Sequence, residues 1–374
     1  MKILLTGGGT GGHFQPIIAV AEAIREISKE QKLIEPLLFY AAPDPYDTEA
    51  LFANDIQFVK TSAGRMRQYF SIMNFFDLFK TGWGVTVSVF RIFFLYPDVI
   101  FSKGGYAAFP TLLAARLFRI PVVIHESDSV PGRVSKWSGK FATRIALSYP
   151  QAARFFPEDK VAVTGNPIRR AIQIRATEGA HEFLKLEREV PVILILGGSQ
   201  GAQAINDVIM RTLPQLVENY QIIHQTGVAN FEEAKAIASV VLRSSPFAGR
   251  YRPFGTLNDL ALRMSAGAAS LVISRAGSTL FEIAVWGLPS IVIPIPSEIV
   301  RDQTTNAFTY ARTGAAVVIE QNNLAPNLLL SEIHRIMDNP DLYNKMQLSA
   351  KAAGNTDAAK EIATEILRIA LGHE

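Results

Sequence analysis

The 374-residue chain contains no cysteine, which excludes disulfides, thiolate zinc sites and cysteine nucleophiles. It also has little net charge: formally +3 with histidine neutral. So slight a basic bias suits anionic substrates or an anionic membrane surface and gives no support to nucleic acid as a partner. No uncharged apolar run approaches the ~20 residues needed to span a bilayer. The opening run, residues 1–7, is too short for a signal peptide and reads directly as a first strand. Tandem repeats, low-complexity segments and an obvious Asp-X-Asp metal pair are missing as well.

What is present is enough apolar material, 48% of residues, for two domain cores in a chain of this length. Two glycine-rich turns lie at matching places in its two halves: Gly7-Gly8-Gly9-Thr10-Gly11-Gly12-His13 and Gly197-Gly198-Ser199-Gln200-Gly201. Each follows a short apolar run and precedes a helix-like stretch. Backbone N–H groups at such a helix start, with no side chains in the way, attract phosphates. Strand-like runs alternate with helix-like runs throughout, which predicts parallel sheets flanked by helices. The expected strands are 3–6, 37–41, 99–101, 122–125, 144–147 and 161–164 in the first half. In the second they are 192–196, 221–225, 271–274, 290–294 and 316–319. Gly165-Asn166-Pro167-Ile168-Arg169-Arg170 reads as the hinge, and 356–371 as a closing amphipathic helix.

One segment is out of character. Residues 69–96 hold ten of the chain's 36 aromatic side chains. Ile72, Phe76, Phe79, Trp83, Val87, Phe90 and Phe94 recur at helical spacing, with Gly82 and Gly84 weakening the middle. Arg65, Arg67, Lys80 and Arg91 lie nearby, so an in-plane membrane contact is one reading. A pair of buried helices covering the sheet is the other.

Several positions carry chemistry. Gly7-X-Gly9-X-X-Gly12 matches the dinucleotide fingerprint. The acidic residue that should end the second strand is missing, however: Asp44 lies too far along. No lysine follows the glycines, so this is not a Walker loop. His13 at the helix entry is a candidate base for an attacking hydroxyl; its alternative is a local hydrogen bond in the first turn. His125 and Glu126 end another strand of the same sheet, at the edge that lines the ligand crevice in open α/β folds; a structural ion pair is the alternative. In the second half, Gly277-Ser278-Thr279-Leu280-Phe281-Glu282 opens a helix. Thr279 and Glu282 fit a capping box, while the functional reading puts the Glu282 carboxylate on two ribose hydroxyls. Asp302-Gln303, after Ile293-Pro294-Ile295-Pro296, offers polar groups to a sugar or simply caps a helix.

Together these residues resemble a known family. Gly8 to His13 with Pro16, His125-Glu126, Gly165 to Arg169, Gly197 to Gly201, Gly277 to Glu282 and Asp302-Gln303 fall in the order and approximate spacing of the MurG family. Its members are the peptidoglycan N-acetylglucosaminyltransferases of glycosyltransferase family 28, which convert lipid I to lipid II. The resemblance covers nearly the whole chain. It implies an α/β GT-B fold of two Rossmann-like parallel-sheet domains facing a central cleft. Residues 1–168 would bind the acceptor and the membrane, and 169–355 the UDP-N-acetylglucosamine donor. The helix near 356–374 would pack back on one of them.

Carried over by motif, Ser199 with Gln200 would contact the donor phosphates, Glu282 the ribose, Gln303 the sugar hydroxyls, and Arg169 the nucleotide near the hinge. Gly277, Ser278, Thr279 and Leu280 complete that surface. Thr10, Gly11 and Gly12 would meet the polyprenyl-diphosphate-linked muramoyl-peptide acceptor, with His13 and Glu126 as the catalytic candidates. No metal or cofactor is implied. An anionic membrane surface on the cytoplasmic face of the inner membrane is expected as a peripheral partner. Two departures stand out. The family commonly reads His-Glu-Gln-Asn where this chain has His125-Glu126-Ser127-Asp128, and Gln-Gln where it has Asp302-Gln303. Ionised Asp128 can only accept hydrogen bonds, whereas an Asn amide also donates. The resemblance implies an inverting glycosyltransferase; a UDP-N-acetylglucosamine 2-epimerase, a lipid-binding module and a dehydrogenase are the alternatives.

Overall fold

The computed structural model describes residues 1–8, 11–64, 73–198, 201–297 and 303–372, with backbone alone at 73–78. The chain divides into two units, Met1–Arg170 with Thr356–Glu374, and Ala171–Asn355.

The first unit is built on a seven-stranded sheet: β1 (Lys2–Thr6), β2 (Leu37–Ala42), β3 (Ile56–Lys60), β4 (Val99–Ser102), β5 (Val122–Glu126), β6 (Arg144–Leu147) and β7 (Val161–Val163). Their order is β3-β2-β1-β4-β5-β6-β7, and every pairing is parallel. Ile3, Leu4 and Leu5 are all buried because helices cover both faces, which is why these strands read as continuous apolar runs. The second unit repeats the plan with six strands: β8 (Val192–Leu196), β9 (Gln221–Gln225), β10 (Tyr251–Phe254), β11 (Ala269–Ser274), β12 (Ser290–Val292) and β13 (Ala316–Val318). Their order is β10-β9-β8-β11-β12-β13, again all parallel. In each sheet the strand order reverses beside the first strand, at β1/β4 and at β8/β11. Such a reversal opens a crevice at the strands' C-terminal ends.

Eleven strands are legible from apolar runs; β3 and β10 are not. Both are edge strands, and each is only partly buried. Gln57 and Lys60 interrupt one, and Pro253, tolerated at an edge, interrupts the other. The closing helix, Ala358–Leu371, joins the first unit's core: Ile362, Ala363, Ile366 and Leu367 pack with Ile17, Val20 and Ile24 of the Gly11–Glu30 helix. An Arg144 Nε–Glu365 Oε1 pair of 2.9 Å ties the same helix to β6.

The aromatic segment forms one helix, Met73–Leu95, and the buried-pair reading does not hold for it. Its described buried side is small and short: Gly84, Ser88 and Ile92. Phe79 (64% exposed), Trp83 (67%), Phe90 (62%) and Phe94 (78%) form a solvent-facing stripe. Gly84 is required on the packed side, because a Cβ there would lie 1.6 Å from the Ser62 carbonyl oxygen. Among the described residues, no helix is long and apolar enough to cross a membrane.

Candidate active site

In the first unit, the ends of β1, β4 and β5 converge. Gly7-Gly8 leaves β1, Lys103-Gly104-Gly105 leaves β4, and His125-Glu126 closes β5. Lys103 N–H donates to Thr6 O (2.9 Å), so the two turns run side by side. Gly105 has φ +81°, and a Cβ there would sit 3.1 Å from Gly8 O and 3.4 Å from His13 Cε1. Only glycine allows this approach.

His13 is the third residue of the Gly11–Glu30 helix, which carries no acidic side chain in its first turn. Its Nδ1 lies 3.2 Å from Gly8 O. With Nδ1–H donating to that carbonyl, the ring's lone pair is on Nε2. Burial, then the Lys103 charge, push its pKa down to about 4 against the Gly8 hydrogen bond, so the ring is neutral. The local bond weighed in the sequence and the candidate base are therefore the same histidine, each using a different nitrogen.

His125 is fully buried. Its Nε2 meets Gly165 O (2.9 Å) and Ser148 Oγ (3.2 Å), which links β5 to the hinge segment. Burial and then Lys103 hold its pKa well below the usual range. Glu126 is not ion-paired to His125. Its two carboxylate oxygens accept from backbone amides instead, Oε1 from Asp128 N–H (3.0 Å) and Oε2 from Gly132 N–H (3.1 Å). Burial and the Asp128 charge push Glu126 up, while Lys103, Ser135 and the Asp128 amide pull it down. The side chain thus organises the 127–132 loop, and Asp128 stands on that loop.

In the second unit, Gly197-Gly198 leaves β8. Gly201 has φ +78°, and a Cβ there would lie 2.3 Å from Thr226 O, so the turn is pressed against the end of β9. Asn206 Nδ2 and Asn230 Nδ2 both donate to that same carbonyl. Arg275, just beyond β11, donates through Nη1 to Ile293 O and Pro294 O and so ties two strand exits together. Burial lowers its pKa to about 10, which still leaves it charged at neutral pH.

The helix Thr279–Trp286 has Ser278 as its N-cap, with no side-chain cap bond. The capping box expected between Thr279 and Glu282 is therefore out of register, because the N3 position falls on Phe281 and Glu282 lies one residue deeper. Among the described residues, nothing lies within 4 Å of where a Cβ on Gly277 would stand. The Leu280 side chain is fully buried and its N–H donates to Gly277 O, so it supports the turn. Gln303 accepts from Ile295 N–H through Oε1 (3.1 Å), which fixes its amide at the exit of β12. Gly11 and Gly12 open the first unit's helix, and Arg169 lies half-buried at the end of the hinge segment. Thr10, Ser199, Gln200 and Asp302 lie outside the described residues. The sequence reading missed Lys103 and Arg275, although each is a lone cation directly after an apolar strand and before a small residue. Among the described residues, no group of three or more His, Asp or Glu side chains is placed to hold a metal ion.

Residues 3–147 match the glycosyltransferase family 28 N-terminal domain, and residues 192–362 match the glycosyltransferase family 28 C-terminal domain. The chain belongs to glycosyltransferase family 28. Within family 28, a relative from Treponema denticola is 34% identical over 95% of both chains. It is named UDP-N-acetylglucosamine–N-acetylmuramyl-(pentapeptide) pyrophosphoryl-undecaprenol N-acetylglucosamine transferase. The solved structure of Acinetobacter baumannii MurG superposes with a TM-score of 0.72 at 26% identity, covering 98% of this chain and 99% of the other. A UDP-GlcNAc 2-epimerase from Neisseria meningitidis shares the fold alone: TM-score 0.67 at 16% identity, covering 98% of this chain and all of that one.

Proposed function

We propose that this family-28 chain transfers N-acetylglucosamine from UDP-N-acetylglucosamine to muramoyl-pentapeptide diphospho-undecaprenol, with inversion at the anomeric carbon. The observation that carries the proposal is the full-length match to relatives named for this reaction. The product would be lipid II, which places the protein in peptidoglycan synthesis and so in cell shape and division.

In this reading residues 169–355 bind the donor. Glu282 accepts from the ribose hydroxyls, and Gln303 offers its amide Nε2 to the sugar because Oε1 is already held by the backbone. Arg169, Ser199, Gln200, Gly277, Ser278 and Thr279 complete the donor contacts. Residues 1–168 bind the acceptor, whose diphosphate lies against the Thr10, Gly11 and Gly12 turn and the helix N-terminus behind it. Neutral His13 takes the proton of the attacking hydroxyl through Nε2, and the bond to UDP breaks on the opposite face. Backbone amides and helix dipoles stabilise charge growing on the leaving diphosphate. Glu126 holds the loop that carries Asp128 through its two backbone-amide bonds. The exposed Phe79, Trp83, Phe90 and Phe94 stripe, with Lys80 and Arg91 beside it, lies on an anionic membrane as a peripheral contact. Neither an epimerase nor a nucleic-acid protein has use for such a stripe.

The test is direct. The protein is incubated with UDP-N-acetylglucosamine and a lipid I analogue, and the product's anomeric configuration is read by NMR. A β-linked disaccharide is expected. Release of N-acetylmannosamine or its UDP form would replace transfer with epimerisation.

A further inference from the structure

Lys103, at the end of β4, has no part in the reaction just described. It is only 2% exposed. Among the described residues its Nζ has no hydrogen-bond partner, and no carboxylate forms an ion pair with it. Glu126 and Asp128 are close enough to act on it through space, but the oxygens of Glu126 already accept from the Asp128 and Gly132 amides. A buried, unpartnered ammonium is costly and is not retained for packing. Apart from those two carboxylates, the backbone around it suits an anion. The Gly7-Gly8 and Gly104-Gly105 turns, either side of it, carry no side chains. The Cβ of Lys103 is so near Gly7 that a Cβ on that glycine would come within 2.9 Å. The 20-residue helix that starts at Gly11 has no acidic residue in its first turn to neutralise its positive end.

We propose that Lys103 is a substrate-binding residue of the first unit, whose Nζ pairs with the diphosphate of the acceptor and seats its hydroxyl beside His13. This rests on the acceptor lying on the first unit, as argued above. A diphosphate spreads its charge over several oxygens, so one phosphate can take the ammonium while the other takes backbone amides. Binding then supplies the counter-ion that the empty site lacks. It also offsets the positive charge that acts on His13.

The experiment compares the parent protein with Lys103→Met, which keeps the stem and removes the charge, and with Lys103→Arg. Inorganic pyrophosphate is titrated into UDP-saturated protein by calorimetry, so that the donor's diphosphate site is already filled. Transfer kinetics are then measured with donor and acceptor varied separately. In Lys103→Met, pyrophosphate binding should weaken roughly tenfold to a hundredfold, as for loss of charge-assisted hydrogen bonds. The acceptor KM should rise to a similar degree, with the donor KM and UDP affinity unchanged. Thermal stability of the ligand-free variant should hold or rise, and Lys103→Arg should recover part of the loss.

A fall in UDP affinity with acceptor KM unchanged would assign Lys103 to the donor and overturn the proposal. So would unchanged pyrophosphate affinity in a folded Lys103→Met variant. A drop in stability that Lys103→Arg does not restore would make the role structural. If the parent protein bound pyrophosphate through Lys103 yet transferred no sugar, the glycosyl-transfer reading would fail and the anion site would stand.

Discussion

At the residue scale the decisive feature is how one side chain divides two tasks. His13 gives Nδ1 to the Gly8 carbonyl, which fixes the tautomer, and so leaves Nε2 as the basic nitrogen. Its depressed pKa has a sign that can be checked. A base works only when unprotonated, so kcat/KM falls as pH drops through the free-enzyme pKa. With that value at about 4, kcat/KM for the acceptor should stay flat from pH 8 to about 5.5. An ordinary histidine would lose half its activity near 6.5. His13→Gln should lower kcat by about 10²–10⁴-fold with little change in donor KM. An acid limb near 6.5, or a variant with normal turnover, would move the base elsewhere.

At the element scale the Met73–Leu95 helix stands apart, since its packed side is small and its aromatic side faces outward. Large exposed apolar patches mark interaction surfaces. Here Phe79, Trp83, Phe90 and Phe94 lie four, seven and four residues apart, as one helix face requires, and Lys80 and Arg91 are exposed with them. Aromatic insertion does not depend on salt, whereas each basic residue contributes on the order of 1 kcal/mol and is screened. Flotation with anionic vesicles should therefore weaken with salt without vanishing. Replacing Phe79, Trp83, Phe90 and Phe94 with serine should abolish the salt-resistant part while leaving the thermal midpoint nearly unchanged, because these side chains contribute little to the core. A variant that floats like the parent would place the membrane contact elsewhere. Phe75 and Phe76, also part of the sequence pattern, lie outside the described side chains.

At the scale of the whole molecule, acid is the informative stress. The unfolded chain takes up protons that buried neutral histidines refuse. Stability is therefore full above the unfolded pKa near 6.5 and is lost as pH falls toward the folded one. In the first unit the raised pKa of Glu126 opposes this trend. The second unit is simpler. His224 is fully buried between Tyr251 Oη and Asn206 Oδ1, both at 3.0 Å, and burial pushes its pKa to about 3. Its contribution is about 1.4 kcal/mol per pKa unit. Urea midpoints measured from pH 7.5 to 4.5 should hold down to about 6.5 and then fall for the second unit's transition. His224→Gln, though less stable at pH 7.5, should flatten that slope. The two units have separate cores, so two transitions are expected rather than one. An unchanged slope in the variant would remove His224 as the cause.

The amino-acid sequence by itself determined the class of fold. Short apolar runs such as Ile3-Leu4-Leu5 and Val192-Ile193-Leu194-Ile195-Leu196, each closed by glycines, read as strands covered on both faces, and glycine turns after each first strand mark where a phosphate can approach. The motifs also pointed to family 28, because they carry chemistry and order but require no three-dimensional knowledge. Tertiary structure decided what depends on contact between distant residues. The edge strands β3 and β10 exist through pairing, not through an apolar run. Whether the aromatic helix was core or surface turned on Gly84 meeting Ser62, a fact no periodicity contains. That both Glu126 carboxylate oxygens accept from backbone amides of the 127–132 loop is likewise a contact the motif does not display. Lys103 drew no notice as one lysine among many, because burial without a partner is a property of the folded chain alone.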